Sequence, residues 1–231
     1  MNTMKVAIMF SGGKDSTFAI DYAREKGLVI DYLLSVKPSR KDCFLFHYAT
    51  VEHTPKMAEM LGLKHILIGC DVADPEQEAE LVRKVVEKNP VDAVILGGTG
   101  LQETQLRSIQ KALMPLHIEV FAAHAGNDHE EVFQEMLNRG YEIMITQIAS
   151  DGLLKWLGKK ITKDNFAELK KDSEKFGFHI GFEGGYADTL CLDAPFFTAK
   201  LEPANVQKVI DDEYNGHIIA EISLVKKVEV Q

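Results

Sequence analysis

At 231 residues, with 45% hydrophobic and 26% charged side chains, the chain has room for one sizeable globular domain and a smaller one. A net charge of −9 argues against broad nucleic-acid or anionic-membrane binding, and three scattered cysteines (Cys43, Cys70, Cys191) form neither a zinc pattern nor a disulfide frame. No apolar run reaches membrane-spanning length and the Met1 end lacks a signal-peptide core, so the chain is read as cytoplasmic.

Residues 6–10 are a short apolar run that predicts a buried strand. Ser11-Gly12-Gly13-Lys14-Asp15-Ser16 follows, and a helical pattern covers residues 17–26. Strand, glycine-rich turn and helix N-terminus, in that order, make an anion site in α/β proteins. The glycines let the backbone turn tightly and point N–H groups at phosphate oxygens. Ser11 and Ser16 add hydroxyls, Lys14 adds a mobile positive charge, and the helix dipole favours an anion. A Walker loop is excluded, because Ile8 and Asp15 stand where that motif needs glycine and Ser or Thr. Asp15 has two readings: it assists Mg²⁺, or it caps a helix starting at Ser16.

Residues 30–36 predict a second strand, and residues 37–50 a long polar connection suited to ligand contacts. A helix over 54–61 ending at Gly62, a strand over 65–70 and an amphipathic helix over 75–88 come next. A fourth strand, 93–96, runs into Gly97-Gly98-Thr99-Gly100, and a helix over 102–113 and a strand over 118–122 complete the run. This alternation predicts an α/β fold, a doubly wound parallel sheet of about five strands. Both glycine turns then share one sheet edge, the expected ligand crevice. Gln105 and Arg107 follow the second turn and either reach that crevice or lie on a solvated helix face.

From Asp128 the character changes, which sets domains at 1–127 (nucleotide binding) and 128–231 (acceptor). The second is a smaller α+β lobe: a helix to Arg139 capped by Asp128, a strand over 141–149, a charged helix over 164–176 and terminal strands within 217–230. Trp156 is assigned to packing between the lobes and Cys191 to a small core position. Glu183-Gly184-Gly185-Tyr186-Ala187-Asp188-Thr189, then Asp193, puts three carboxylates within eleven residues. Such oxygens suit Mg²⁺ or an amine-like nucleophile. The plainer alternative is a glycine turn between strands with exposed acids.

The hexapeptide at 11–16 resembles the pyrophosphate loop (PP-loop) of the N-type ATP pyrophosphatases. With Phe46-His47, Trp156-Leu157-Gly158, Glu183-Gly184-Gly185, Thr189 and Leu192-Asp193, the chain resembles, nearly end to end, the archaeal and eukaryotic diphthine–ammonia ligase family. That resemblance implies an adenine nucleotide alpha hydrolase-like fold, ATP and Mg²⁺ as cofactors, and ammonia as nitrogen source. It implies a protein substrate too, elongation factor 2 bearing diphthine, whose carboxylate is adenylated with loss of pyrophosphate before nitrogen displaces AMP. Catalytic roles then fall to Lys14, Asp15, Glu183 and Asp188. Nucleotide contacts fall to Ser11, Gly12, Gly13, Lys14, Asp15, Ser16, Val36, Gly97, Gly98 and Thr99, with adenine expected along the backbone just after Val36. Acceptor contacts fall to His47, Gln105, Gly184, Gly185, Thr189 and Asp193. Neither DNA nor a membrane is implied, and a homo-oligomer is compatible.

The chain also departs from the family pattern. The family's Glu-Gly-Gly-Glu, aromatic, Glu-Thr block has Tyr186 and Ala187 for the first acid and the aromatic, and the shorter Asp188 for the second acid. Ala123-His124-Ala125 stands where Pro-Leu-Trp is usual, and the arginine of the Tyr-Gln-x-x-Arg stretch falls one position early, at Arg107. Two alternatives therefore stay open: the same ATP chemistry on another acceptor, and a nucleotide-binding module without turnover.

Overall fold

The structure, a computed structural model, describes residues 3–39, 51–100 and 103–227. The chain divides into two compact units, Met1–Asn127 and Asp128–Gln231.

The first unit runs β1 (Lys5–Met9), α1 (Lys14–Glu25), β2 (Val29–Pro38), α2 (Thr54–Leu61), β3 (His65–Cys70), α3 (Pro75–Lys88), β4 (Ala93–Leu96), α4 (Glu103–Leu113) and β5 (Glu119–Ala122). Its five strands are all parallel, in the order β3-β2-β1-β4-β5. One face of the sheet, through Ala7, Met9, Leu34, Val36, Val94 and Leu96, packs on Val82 and Val86 of α3 and Ile109 and Leu113 of α4. The other face carries α1, where Tyr22 meets Phe121 of β5 edge-on at 6.2 Å. Local chemistry sets the helix ends. Asp74 accepts from the Gln77 N–H at 2.9 Å to start α3 just before Pro75, and Gly62 ends α2 at φ 64°. The order reverses between β1 and β4, which is where such sheets open a crevice beyond the strand C-termini.

The second unit runs α5 (His129–Asn138), β6 (Glu142–Ala149), β7 (Lys160–Ile161), α6 (Lys163–Phe176), β8 (Ala187–Asp193), β9 (Ala199–Ile210) and β10 (Asn215–Lys226). Its sheet is antiparallel, in the order β7-β6-β10-β9 with β8 also on β6. Phe133 of α5 packs edge-on to Phe166 of α6 at 5.2 Å to form the helical side of the core. Trp156 is buried, its indole N–H donating to Asp172 of α6 at 2.8 Å, and Lys155 and Lys159 lie over its ring. Strand β9 has no counterpart in the sequence reading, because Pro203 and Asn205 argue against a strand. It is tolerated as an edge strand whose register against β10 slips between Ile219 and Glu221, with Asn205 at φ 51°.

Candidate functional site

Helix α1 begins at Lys14, earlier than the expected start at Ser16, and Gly13 occupies the cap position in an extended conformation. Asp15 is therefore not the cap. It lies in the first turn, where its carboxylate receives the Lys14 ammonium at 2.5 Å. The loop closes on itself through its serines: the Ser11 and Ser16 hydroxyls are 3.2 Å apart, Ser16 also accepts from the Ser11 N–H at 3.2 Å, and Ser11 accepts from the Gly13 N–H at 3.3 Å. Lys14 is only 3% exposed. A buried cation at the first turn of a helix, behind a glycine turn, is a strong local bias towards an anion.

The second glycine turn is built against the first. A Cβ at Gly97 would lie 2.6 Å from the Asp15 carbonyl carbon and from the Ser16 nitrogen, so only glycine allows that backbone approach. Gly98 and Thr99 are held from behind by the segment after β5, whose His124 and Gly126 N–H groups donate to their carbonyls at 3.0 and 3.4 Å. The His124 ring stacks on Phe18 of α1 at 4.4 Å and meets Tyr22 edge-on at 5.7 Å. In the sequence His124 stood out only as part of Ala123-His124-Ala125, a departure from the family pattern. The aromatic pair at i and i+4 on α1 was the signal that a planar partner lay above it. Val36 is buried near the C-terminal end of β2, beside β1, and Gln105 is half-buried on α4. Arg107 instead pairs with Glu103 at 2.8 Å on an exposed face. His47 lies outside the described residues.

In the second unit, Phe182, Gly184 and Gly185 all take positive φ (63°, 97° and 84°), which winds the chain tightly around Glu183. Glu183 is not an exposed turn acid: it is 9% exposed, with the His129 Nδ1 3.8 Å from its carboxylate. The His129 ring in turn meets His179 edge-on at 4.5 Å, and the His179 Nδ1 accepts from the Gly181 N–H at 3.2 Å. The Tyr186 ring folds back over Gly184. Asp188 and Thr189 belong to β8, opposite Gln147 and Ile145, and the register slips between those two partners, at Thr146. Such a bulge re-aims the side chains beside it. Asp193 is the third carboxylate of the stretch. It is buried and engaged by Lys227 at 2.6 Å and Lys200 at 3.1 Å, and Lys200 also reaches Glu142 at 2.6 Å. Those ion pairs link Glu142 of β6, Asp193 of β8 and Lys200 of β9.

Family models match both units: the diphthamide synthase N-terminal domain over residues 4–114 and the diphthamide synthase C-terminal domain over residues 128–228. The chain is 26% identical over 221 residues to a Homo sapiens protein named diphthine–ammonia ligase, covering 86% of this chain and 82% of that one. It is 28% identical over 220 residues to the Danio rerio protein of that name, covering 86% of each. Among the described residues no helix is long and apolar enough to cross a membrane. With both of its units matched and the similarity running nearly end to end, the chain belongs to the diphthamide synthase family.

Proposed function

We propose that this chain is a cytoplasmic ATP-dependent carbon–nitrogen ligase that amidates the diphthine carboxylate of elongation factor 2 with ammonia. The observation that carries the reading is the seat of Gly97 against Asp15 and Ser16 at the sheet's reversal point, beside the buried Lys14. In the first step an acceptor carboxylate oxygen bonds to the α-phosphorus of ATP, the α–β bridging bond breaks, and pyrophosphate leaves. The loop N–H groups and Lys14 take up the charge that grows on this leaving group. In the second step the ammonia lone pair attacks the acyl carbon, AMP departs with the bonding pair, and one proton leaves nitrogen. Glu183, a buried carboxylate followed by two glycines, is assigned that proton, with Asp188 and Thr189 orienting the acceptor.

Among the described residues no three metal-ligating side chains converge, so a magnesium ion would arrive with the triphosphate rather than sit in a protein cage. Asp15, an acid in the first turn of α1, fits that supply and would hold it. The ion's chemistry is to neutralise phosphate oxygens.

The test supplies diphthine-bearing elongation factor 2, ATP, Mg²⁺ and ammonium to the purified chain. Equal yields of AMP, pyrophosphate and amidated acceptor are expected; ADP and phosphate would overturn the reading. A second reading, another acceptor carboxylate, is favoured by one observation. Ala187 is buried at the start of β8, paired with Ile148, where the family pattern has an aromatic. It predicts that a family member with the full Glu-Gly-Gly-Glu block amidates diphthine faster than this chain does.

A further inference from the structure

Behind the loop lies a hydrogen-bond chain that the reaction as described leaves unused. Ser35 is fully buried on β2, and its hydroxyl donates to the carbonyl of Phe10 at 2.5 Å, the last carbonyl before Ser11. The Nε2 of His65 lies 2.8 Å from the same Ser35 oxygen. This meeting follows from register. His65 opens β3 opposite Leu33, and Leu33 and Ser35 point to the same face of the sheet, so the imidazole leans one step along β2.

A serine hydroxyl carries one proton. Here that proton is committed to Phe10, so the imidazole must be the donor and its Nε2 must carry hydrogen. Burial lowers the His65 pKa, which favours the neutral ring in which tautomer choice has meaning. The consequence reaches both ends of the nucleotide site. Phe10 leads into the phosphate loop, and Ser35 precedes Val36, where adenine is expected. The Phe10 N–H, bonded to the Leu34 carbonyl at 2.8 Å, secures the other side of the same peptide run.

We propose that His65 is a positioning residue for the nucleotide: as the Nε2–H tautomer it holds Ser35 on the Phe10 carbonyl and so fixes the spacing between residues 11–16 and Val36. The proposal rests on the reading of that loop as the ATP site. Its tautomer component does not, so the two fail separately.

Long-range ¹H–¹⁵N spectra of the full chain, with His65→Gln supplying the assignment, should show the Nε2–H pattern for His65 at neutral pH. A neutral Nδ1–H pattern would overturn the proposal. In ATP titrations His65→Gln, whose amide nitrogen can replace the imidazole donor, should keep the Kd within about twofold. His65→Leu should raise it about five- to tenfold, with kcat at saturating ATP unchanged. Ser35→Ala, which removes the acceptor without touching the ring, should weaken ATP binding by a similar factor. Equal affinities for the Gln and Leu variants, or an unaffected Ser35→Ala, would overturn the positioning role. Failure of the unaltered chain to bind ATP would instead overturn the reading of the loop.

Discussion

Lys14 combines near-complete burial with a full charge, which side chains tolerate only beside a partner, and Asp15 supplies one. Lys14→Ala should lower pyrophosphate release roughly 100- to 1,000-fold, as loss of a charge donor to a developing anion does, while the circular dichroism spectrum stays intact. Undiminished release would end the pyrophosphate reading of the loop. Glu183→Gln keeps volume but removes the carboxylate's capacity to take a proton. Acceptor-dependent turnover should fall far more than ATP affinity, and equal losses of both would reduce the segment to a structural turn. The strand, glycine turn and helix start around residues 10–16 were legible because consecutive residues mark them. The ion pairs of Asp193 were not. Lys200 and Lys227, which engage it, come from beyond β8, a relation that spacing in sequence does not carry. The start of α1 was misjudged for a smaller reason, since a glycine cap leaves no side-chain signal.

At the scale of elements, the two glycine turns behave as one object. Gly97→Ala places a methyl 2.6 Å from backbone atoms of Asp15 and Ser16, and neither can yield without moving α1. Overpacking of that kind costs about 1–3 kcal/mol, so the urea midpoint should drop and ATP affinity should fall with it. Unchanged affinity would show that the turns act independently. The strand and helix order of the first unit was readable from periodicity, because β1, β4 and the middle of β2 are buried apolar runs and the partly buried edge strands β3 and β5 are still short, mostly apolar segments. Strand β9 was unreadable for the opposite reason. Much of its length is exposed, and its Pro203 and register slip, which spoil the strand signal, also blunt the sheet edge against pairing with another chain.

Across the whole molecule, acid should act on the two units in sequence. In the first, burial lowers the pKa of His53 and His65 below the ordinary 6.5. Their unfolded forms bind protons first, so the stability they contribute above pH 6.5 is lost as pH falls through the folded values. In the second, the Lys200 hydrogen bond lowers Glu142 below the ordinary 4.5, and the stability it adds is lost only as pH falls below that. Trp156, the single tryptophan, reports the second unit. Urea unfolding followed by amide exchange in β1 to β5 should shift to lower denaturant between pH 7.5 and 5.5, while the Trp156 fluorescence transition holds until pH drops under 4.5. The reverse order would contradict the assignment. The parallel sheet was foreseeable from alternation alone. The antiparallel order β7-β6-β10-β9 was not, because it turns on β10 returning past α6, β8 and β9 to pair with β6, which neither alternation nor spacing announces.

The seat of Gly97 against Asp15 and Ser16 also sets a clock on synthesis. At about 5–20 residues per second, roughly eighty residues separate emergence of the hexapeptide from emergence of its counterpart, a delay of about 4–16 seconds. A ribosome-held chain ending at Pro90 carries the entire motif and should pass ATP-agarose unretained. One ending at Asn127 and spaced clear of the exit tunnel should be held. Nucleotide capture thus marks the moment at which the nascent first unit becomes whole.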